Sequence, residues 1–513
     1  MSTNKSIAKS AGIISFATFC SRLLGFFRDI VIARLFGIYV YAQAFVIAFR
    51  IPNLFRDFVG EGAANAAIVP VFSEYTVKHT KEEFWELANV VLNLLLITLT
   101  SITILGIIFS PAIVRLIAPG FITDPYKLET TIRLNRIIFP YILLIGLTAY
   151  AVAILNSLKH FAIPAFAPCL LNISIIVFAL LFGEGIKGLA SGVLVGGCLQ
   201  LMVQMPVLYK KGFRLRLFRS FKHPAAKIIG KLMIPRLVIT SIYLLNNFID
   251  SIFGSLAMIV GEGGVAVLYY SYRLILFPIG IFSNALTQAI LPTLSTQALE
   301  DSHERLKETL SWGIRATFFM MLPASVSFMV LALPIVSTLF GGGKFDADSA
   351  QLTADALFFY SIGLFAYGST KIVQSCFFAL KDTLTPTKIA ALALVINVIL
   401  NFFLMFPLKI GGIALATSIS GIITFFVLLT ILKKRLGNFP VKEITTSFLR
   451  ILAASLCMGL VCYFVSQKTS VFLNKIVSLS LTLICSFLSY IAFCFIFRVS
   501  EMRELWRWLI RRK

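Results

Sequence analysis

One pattern recurs along nearly the whole sequence: an apolar run of about 20 residues, the length that crosses a bilayer as a helix, followed by a short polar break. Such runs start near residues 7, 41, 84, 127, 161, 186, 227, 263, 307, 348, 385, 410, 445 and 472, which predicts fourteen membrane spans. No remaining stretch is long and polar enough for a soluble domain of useful size. Composition agrees, with 58% hydrophobic residues, 13% charged residues and a mean hydropathy of +0.91. Hydrocarbon offers no water to unpaired backbone groups, so the expected fold is an all-α integral membrane bundle.

A net charge of +23 would suggest nucleic acid in a soluble protein, but here much of the excess lies in alternate breaks between spans. Those breaks include Lys78 to Lys81, Lys159-His160, Lys381 to Lys388, Lys433 to Arg435 and the Arg511-Arg512-Lys513 end. Basic loops stay on the cytoplasmic side, which predicts that both termini are cytoplasmic and that anionic lipid is the partner of the basic surface. The connector Lys210 to Lys231 carries eight Lys or Arg and no acid, and its alternation of Phe, Leu and Arg suits a helix lying on the leaflet. The tail Glu501 to Lys513, with Trp506 and Trp508, reads as a second interfacial anchor. Lys5 and Lys9 before the first run resemble a signal peptide, but no small-residue cleavage site follows, so the run reads as a retained first helix. The eight cysteines lie in apolar segments without a Cys-x-x-Cys pair and read as packing residues. The four histidines fall in connectors and suggest neither a metal cluster nor a catalytic dyad.

The sequence also repeats itself. Ala67-Ile68-Val69-Pro70 returns as Ala289-Ile290-Leu291-Pro292, and Lys159 with Pro164 returns as Lys381 with Pro386, both 222 residues later. Ile186-Lys187-Gly188-Leu189-Ala190 returns as Ile410-Gly411-Gly412-Ile413-Ala414, 224 residues later. Several matches in order at a nearly constant shift imply duplication. Each unit holds six spans, an even number, so the halves are expected to be parallel repeats. The predicted division is an N-lobe over residues 1–222, a C-lobe over 223–436, and two further spans with a cytoplasmic tail over 437–513.

Charges inside spans locate the function. An Arg at the centre of a bilayer helix costs about 2.5–3.5 kcal/mol or more, so such residues face a bundle interior or a wet cavity. The first run contains Arg22, Arg28 and Asp29. Arg22 and Asp29 are two turns apart on one face and read as a compensated pair, leaving Arg28 available; pinning of helices is the bland alternative. The second span carries Pro52, Arg56, Asp57, Gly60, Glu61 and Gly62, and broken polar backbone at that depth belongs to a buried or cavity-lining segment. In the equivalent eighth span Arg273 precedes Pro278 and Gly280. Arg22, Arg28, Arg56 and Arg273 are therefore expected to meet in one cavity, and forked guanidinium donors suit an anionic cargo, above all a diphosphate.

Ser21-Arg22-Leu23-Leu24-Gly25-Phe26-Phe27-Arg28-Asp29, Pro52-Asn53-Leu54-Phe55-Arg56, Gly60-Glu61-Gly62-Ala63, Phe139-Pro140-Tyr141 and Pro164-Ala165-Phe166-Ala167-Pro168 resemble the MurJ (MviN) family. These are lipid II flippases of the multidrug/oligosaccharidyl-lipid/polysaccharide exporter superfamily, and the likeness spans the chain including its last two spans. It implies a multi-pass protein of the bacterial cytoplasmic membrane that acts as a monomer without catalysis. Its cargo would be undecaprenyl-diphosphate-linked peptidoglycan precursor, carried outward by alternating access. Arg22, Arg28, Arg56 and Arg273 would hold the diphosphate and headgroup, with Asp29 and Glu61 as gate or partner carboxylates. The last two helices would border a groove for the polyprenyl tail. No cofactor is implied beyond a sodium ion or the membrane potential as driving force. The family's sodium site would correspond to Asp250, Asn397, Asn401, the Ile413 carbonyl and Thr417. Three positions depart from the family pattern: Gln43 stands for an Asp, Asp57 for a basic residue, and Asn401 for an Asp.

Two other functions compete. A related polysaccharide-lipid or multidrug exporter shares the twelve-span repeat but needs neither the added spans nor the four arginines. A membrane glycosyltransferase would use Asp346-Ala347-Asp348 to hold a metal, although an Asp before a helix more often serves as its N-cap.

Overall fold

The computed structural model describes residues 3–56, 63–183, 185–217, 223–300, 302–437 and 439–504. They are almost wholly helical and fall into two compact units, Met1–Leu256 with Gly343–Phe345, and Ala257–Gly342 with Asp346–Lys513. The first unit runs α1 (Thr3–Phe36), α2 (Val40–Arg56), α3 (Ala63–Lys78), α4 (Lys81–Ile108), α5 (Ser110–Ile117), α6 (Pro125–Ile138), α7 (Tyr141–Ser157), α8 (Ala162–Phe182), α9 (Ile186–Met202), α10 (Met205–Lys211) and α11 (Pro224–Gly254). The second runs α12 (Ala257–Val260), α13 (Gly264–Pro278), a π-helical turn Ile279–Ser283, α14 (Asn284–Gln297), α15 (Glu304–Val330), α16 (Ala332–Leu339), α17 (Ala347–Ile362), α18 (Leu364–Ala379), α19 (Leu384–Leu436), α20 (Val441–Phe472) and α21 (Lys475–Ile496).

Among the described residues, nine segments are helical, long and apolar enough to cross a membrane, or ten if α17 and α18, which meet at 43°, form one bent span. The 53 residues of α19 would reach about 80 Å as a straight helix, more than twice the hydrocarbon thickness. The helix breaks at Lys409, whose φ of 51° and ψ of −128° are non-helical.

The duplication is visible element by element. Ser110–Ile117 in the first unit recurs as Ala332–Leu339 in the second, 222 residues on at both ends. The ends of α7 and α18 match in detail. Lys159 and Lys381 both take left-handed backbone, with φ of 58° and 59°. In each the following amide reaches back five residues, His160 N to Leu155 O at 2.8 Å and Asp382 N to Phe377 O at 2.9 Å, the hydrogen bond that closes a Schellman turn. Left-handed backbone costs a non-glycine residue about 1 kcal/mol. Lys381→Gly is therefore expected to raise thermal stability in detergent, with fluorescence-detected size exclusion as the measurement; an unchanged or lower midpoint would refute the strain. After the turn, the Asp382 carboxylate accepts from the Thr385 amide at 3.0 Å and from Arg435 at 2.7 Å. The Thr385 backbone bond, with help from the Thr385 hydroxyl and Arg435, holds the Asp382 carboxyl below its usual range.

The α8–α9 packing rests on small residues. Gly188, Gly192 and Gly196 recur every fourth position of α9, and a Cβ at Gly192 would lie 2.7 Å from the Ile175 Cα of α8. Without side chains in the way the two backbones approach closely, the usual basis of helix association in lipid.

Two expectations from the sequence need correction. The connector is not one surface helix: residues 224–231 already belong to α11, while residues 213–216 have no regular secondary structure. Their backbone is fixed to α4 by Asn89, which donates to Arg214 O at 3.1 Å and accepts from Arg216 N at 2.7 Å. Asn93, one turn on, donates to Arg216 O at 3.2 Å. Two buried amides satisfy the backbone groups that a helix would otherwise pair internally. Phe213 is buried beside Trp85, while Leu215 and Leu217 are exposed. At the other end, Glu501 is buried and bound to Arg315 rather than lying on a membrane surface, and residues 505–513, with Trp506 and Trp508, lie outside the described residues.

The units also divide the chain differently from the sequence repeat. α11 begins the second repeat, yet it packs with α3, α4 and α5 in the first unit, whereas its counterpart α1 packs on α8.

Candidate functional site

Arg28 and Asp29 are both buried, at 4% and 0% exposure, on the face of α1 that meets α8. Arg28 Nε and Nη2 donate to Asp29 Oδ1 at 3.0 and 2.7 Å, and Nη1 donates to Asn172 Oδ1 of α8 at 3.1 Å. The guanidinium also lies 5.8 Å from the centre of the Phe49 ring of α2. Asn172 Nδ2 donates in turn to Ser21 O at 3.1 Å, so one amide ties both ends of the charged motif to α8.

This arrangement overturns the predicted Arg22–Asp29 pair. Residues seven apart share a helical face but are separated by about 10 Å of rise, whereas the neighbouring Arg28 folds along the helix to reach the carboxylate. Arg22 is exposed. Asn172 was missed in the sequence, although a single amide in the apolar run Ala162–Phe182 was the available signal. Gln43, in place of the family's Asp, is buried in α2. The Arg56 side chain, Asp57 and Glu61 lie outside the described residues.

In the second unit Arg273 is half-buried on α13, five residues before Pro278 and the π-helical turn. Extra residues in a helical turn re-aim side chains and often mark functional segments. Immediately beyond that turn, Asn284 Oδ1 accepts from Lys371 Nζ of α18 at 2.5 Å. The hydroxyls of Ser283, Ser369 and Thr370 are buried without hydrogen-bond partners among the described residues, leaving unmet polar groups in the interior of this unit. Lys371 was also missed, although it is the one charged residue in the stretch Ala356–Leu380.

Four of the five residues of the sodium expectation come together. Asn397 Nδ2 donates to Thr417 Oγ1 at 3.1 Å, Asn401 Nδ2 donates to Asn397 Oδ1 at 3.0 Å, and Thr417 Oγ1 donates to Ile413 O at 3.2 Å. Asn397 and Asn401 are both 0% exposed, and Asn401 Oδ1 is buried without a hydrogen-bond partner among the described residues. The donor set of neutral oxygens, with one of them unmet, fits a monovalent cation. Asp250 is buried on α11 in the first unit. Asp346, the residue on which a glycosyltransferase would depend, caps α17: its Oδ1 accepts from Ser349 N at 2.8 Å.

A family profile described as "Lipid II flippase MurJ" matches residues 32–484. The "Probable lipid II flippase MurJ" of Buchnera aphidicola subsp. Acyrthosiphon pisum is 35% identical over 479 residues, covering 91% of this chain and 92% of that protein. The "Lipid II flippase MurJ" of Burkholderia cenocepacia is 33% identical over 455 residues, 87% of each chain. Among solved structures, a lipid II flippase MurJ in an inward closed conformation matches with a TM-score of 0.80 at 29% identity, covering 94% of this chain and 98% of that one. An inward-facing multidrug resistance MATE family transporter of the MOP superfamily matches with a TM-score of 0.68 at 18% identity over 81% of this chain and 94% of its own, a likeness of fold. With a matching profile over most of its length and relatives aligned nearly end to end, the chain is a multi-pass protein of the bacterial inner membrane and belongs to the MurJ family.

Proposed function

We propose that this protein flips lipid II from the cytoplasmic to the outer leaflet by alternating access, as a monomer with fourteen spans and both termini in the cytoplasm. The observation that carries the reading is the buried Arg28–Asp29–Asn172 network on α1, in a chain whose relatives are named as lipid II flippases. Arg28 is oriented but charge-compensated. An incoming diphosphate competes with Asp29 for the guanidinium, and forked N–H donors favour phosphate oxygens. Headgroup arrival then loosens the hydrogen bonds that fasten α1 to α8, which couples binding to movement of the helix. Arg22 and Arg273 supply further positive charge, and Lys371 is a fifth candidate, added to the four arginines. No bond in the cargo is broken, so the residues need only bind and release. Exposed Leu460, Phe464, Phe487 and Leu488 on α20 and α21 suit an apolar route for the tail. Arg214 and Arg216, fixed outward by the α4 amides, suit an anionic leaflet.

Asn397, Asn401, Thr417 and the Ile413 carbonyl would hold a sodium ion, and movement of that ion down its gradient would drive return of the carrier. Binding stabilises the folded state by about 2.7 kcal/mol when the ion is at a hundred times its dissociation constant. The melting temperature is expected to rise with NaCl against equal choline chloride. Asn401→Asp, which removes the amide donor and adds a charge, is expected to shift that rise to lower sodium. Identical melting in both salts would remove the ion from the proposal.

The functional test is leaflet exchange of purified lipid II in proteoliposomes with and without a sodium gradient. Wild type should move intact lipid II and Arg273→Ala should not. Exchange by the variant at the wild-type rate, or cleavage of the lipid, would overturn the reading.

A further inference from the structure

The bend between α17 and α18 in the second unit is held by groups from two other helices. α17 ends at Ile362, Gly363 follows, and α18 leaves at 43°. A helix end leaves its last carbonyls without helical partners, and here serine hydroxyls reach them. Ser418 Oγ of α19 donates to Phe359 O at 2.7 Å and Tyr360 O at 3.1 Å, and Ser325 Oγ of α15 donates to Ser361 O at 2.5 Å. A Cβ at Gly363 would lie 2.8 Å from the Ser418 Cα, so glycine is what lets α19 approach this closely. Ser418 has one hydroxyl hydrogen for two carbonyls, and its bond can pass from one to the other as the bend changes.

Ser418 also adjoins the proposed cation ligands, following Thr417 on α19 about one turn beyond Ile413. Thr417 Oγ1 directs its hydrogen at Ile413 O. An oxygen ligates through a lone pair, so a cation held by both Thr417 Oγ1 and Ile413 O turns that hydrogen away and reshapes the turn that carries Ser418. On the far side of the bend, the Tyr360 ring centre lies 5.4 Å from that of Tyr272, the neighbour of Arg273 on α13. Cation residues, bend and arginine are thus joined by contacts within one unit.

The duplication supplies a comparison. In the first unit the corresponding break, between α6 and α7, falls at Phe139-Pro140. At the shifts of the repeat, Asn397, Asn401 and Thr417 correspond to Ile175, Ala179 and Val193, and Ser418 corresponds to Leu194. The unit without the cation residues also lacks the serine, so a bent span by itself does not call for one. Given the sodium and cargo sites proposed above, on which this rests, we infer that Ser418 is a positioning residue that transmits occupancy of the cation site to Arg273 through the C-terminal end of α17. Sodium that drives return of the carrier must disfavour cargo, and linkage makes the effect mutual.

The test follows both sites on the full-length protein in detergent, with melting temperature for sodium and microscale thermophoresis for purified lipid II. Wild type should bind lipid II roughly tenfold more weakly in NaCl than in equal choline chloride, within the usual range of coupling between sites. Ser418→Ala should keep the sodium-dependent rise in melting temperature and the lipid II affinity in choline chloride, and lose the difference between the salts. Tyr272→Leu, which removes the ring contact and leaves Ser418 in place, should lose that difference too, whatever Ser418→Ala does to folding. The full difference retained in either variant would overturn the inference and leave the sodium reading intact. So would a wild type whose melting responds to sodium and whose lipid II affinity does not, or a Ser418→Ala protein weakened equally in both salts. A wild type that melts and binds alike in both salts would overturn the sodium reading and this inference together.

Discussion

Arg28→Ala alone is expected to deplete the membrane of folded protein, whereas Arg28→Met combined with Asp29→Asn should restore abundance and still leave the protein inactive. The single change takes the guanidinium away from a fully buried carboxylate, and removing one partner of a buried pair costs about 3–5 kcal/mol, a large share of a typical stability. The double change removes both charges at similar volume, which is often neutral for folding. It also removes the guanidinium that the cargo needs. Abundance by quantitative immunoblot, melting in detergent and complementation of cells that depend on this copy separate the two effects. Growth supported by the double variant would remove Arg28 from the binding site and reduce the network to a structural pin.

Gly192→Leu is expected to cause the second largest loss. The first side-chain carbon alone would lie 2.7 Å from the Ile175 Cα, and the contact is backbone, which cannot rotate away. Forcing extra atoms into a packed interior typically costs about 1–3 kcal/mol, and α8 must separate from α9 to admit a whole leucine. Because α8 carries Asn172, the shift should reach Arg28 as well. Gly230, with nothing within 4 Å of its virtual Cβ, is the control: Gly230→Leu should leave the melting temperature near wild type. Equal melting of the two variants would show that close backbone approach does not hold α8 to α9.

Much of the architecture was legible before any coordinates. Apolar runs of bilayer length announce helices because lipid forbids unpaired backbone. The 222-residue shift between Lys159 and Lys381 returned as the same left-handed turn, because duplicated sequence keeps its local backbone preferences. The candidate residues were less legible. Sequence marks Arg28 and Asp29 as charges within a span, but helical spacing alone points to Arg22 as the partner of Asp29, whereas Arg28 fills that place. The amides that decide it or fix the connector, Asn172 and Asn89, come from other helices. Lys371 stands out in sequence only as a lone charge, and its partner Asn284 comes from another helix.

Sequence by itself determined the class of environment, the duplicated helix order and the family, since each depends on local pattern, composition or accumulated identity along the chain. Tertiary structure alone decided which groups compensate one another: Asp29 with Arg28, Asn397 with Thr417 and Asn401, and Glu501 with Arg315. The physical reason is range. Helix formation responds to neighbours a few residues away, whereas the cost of a buried charge or amide is relieved by whichever partner packing brings within about 3 Å, however distant in sequence.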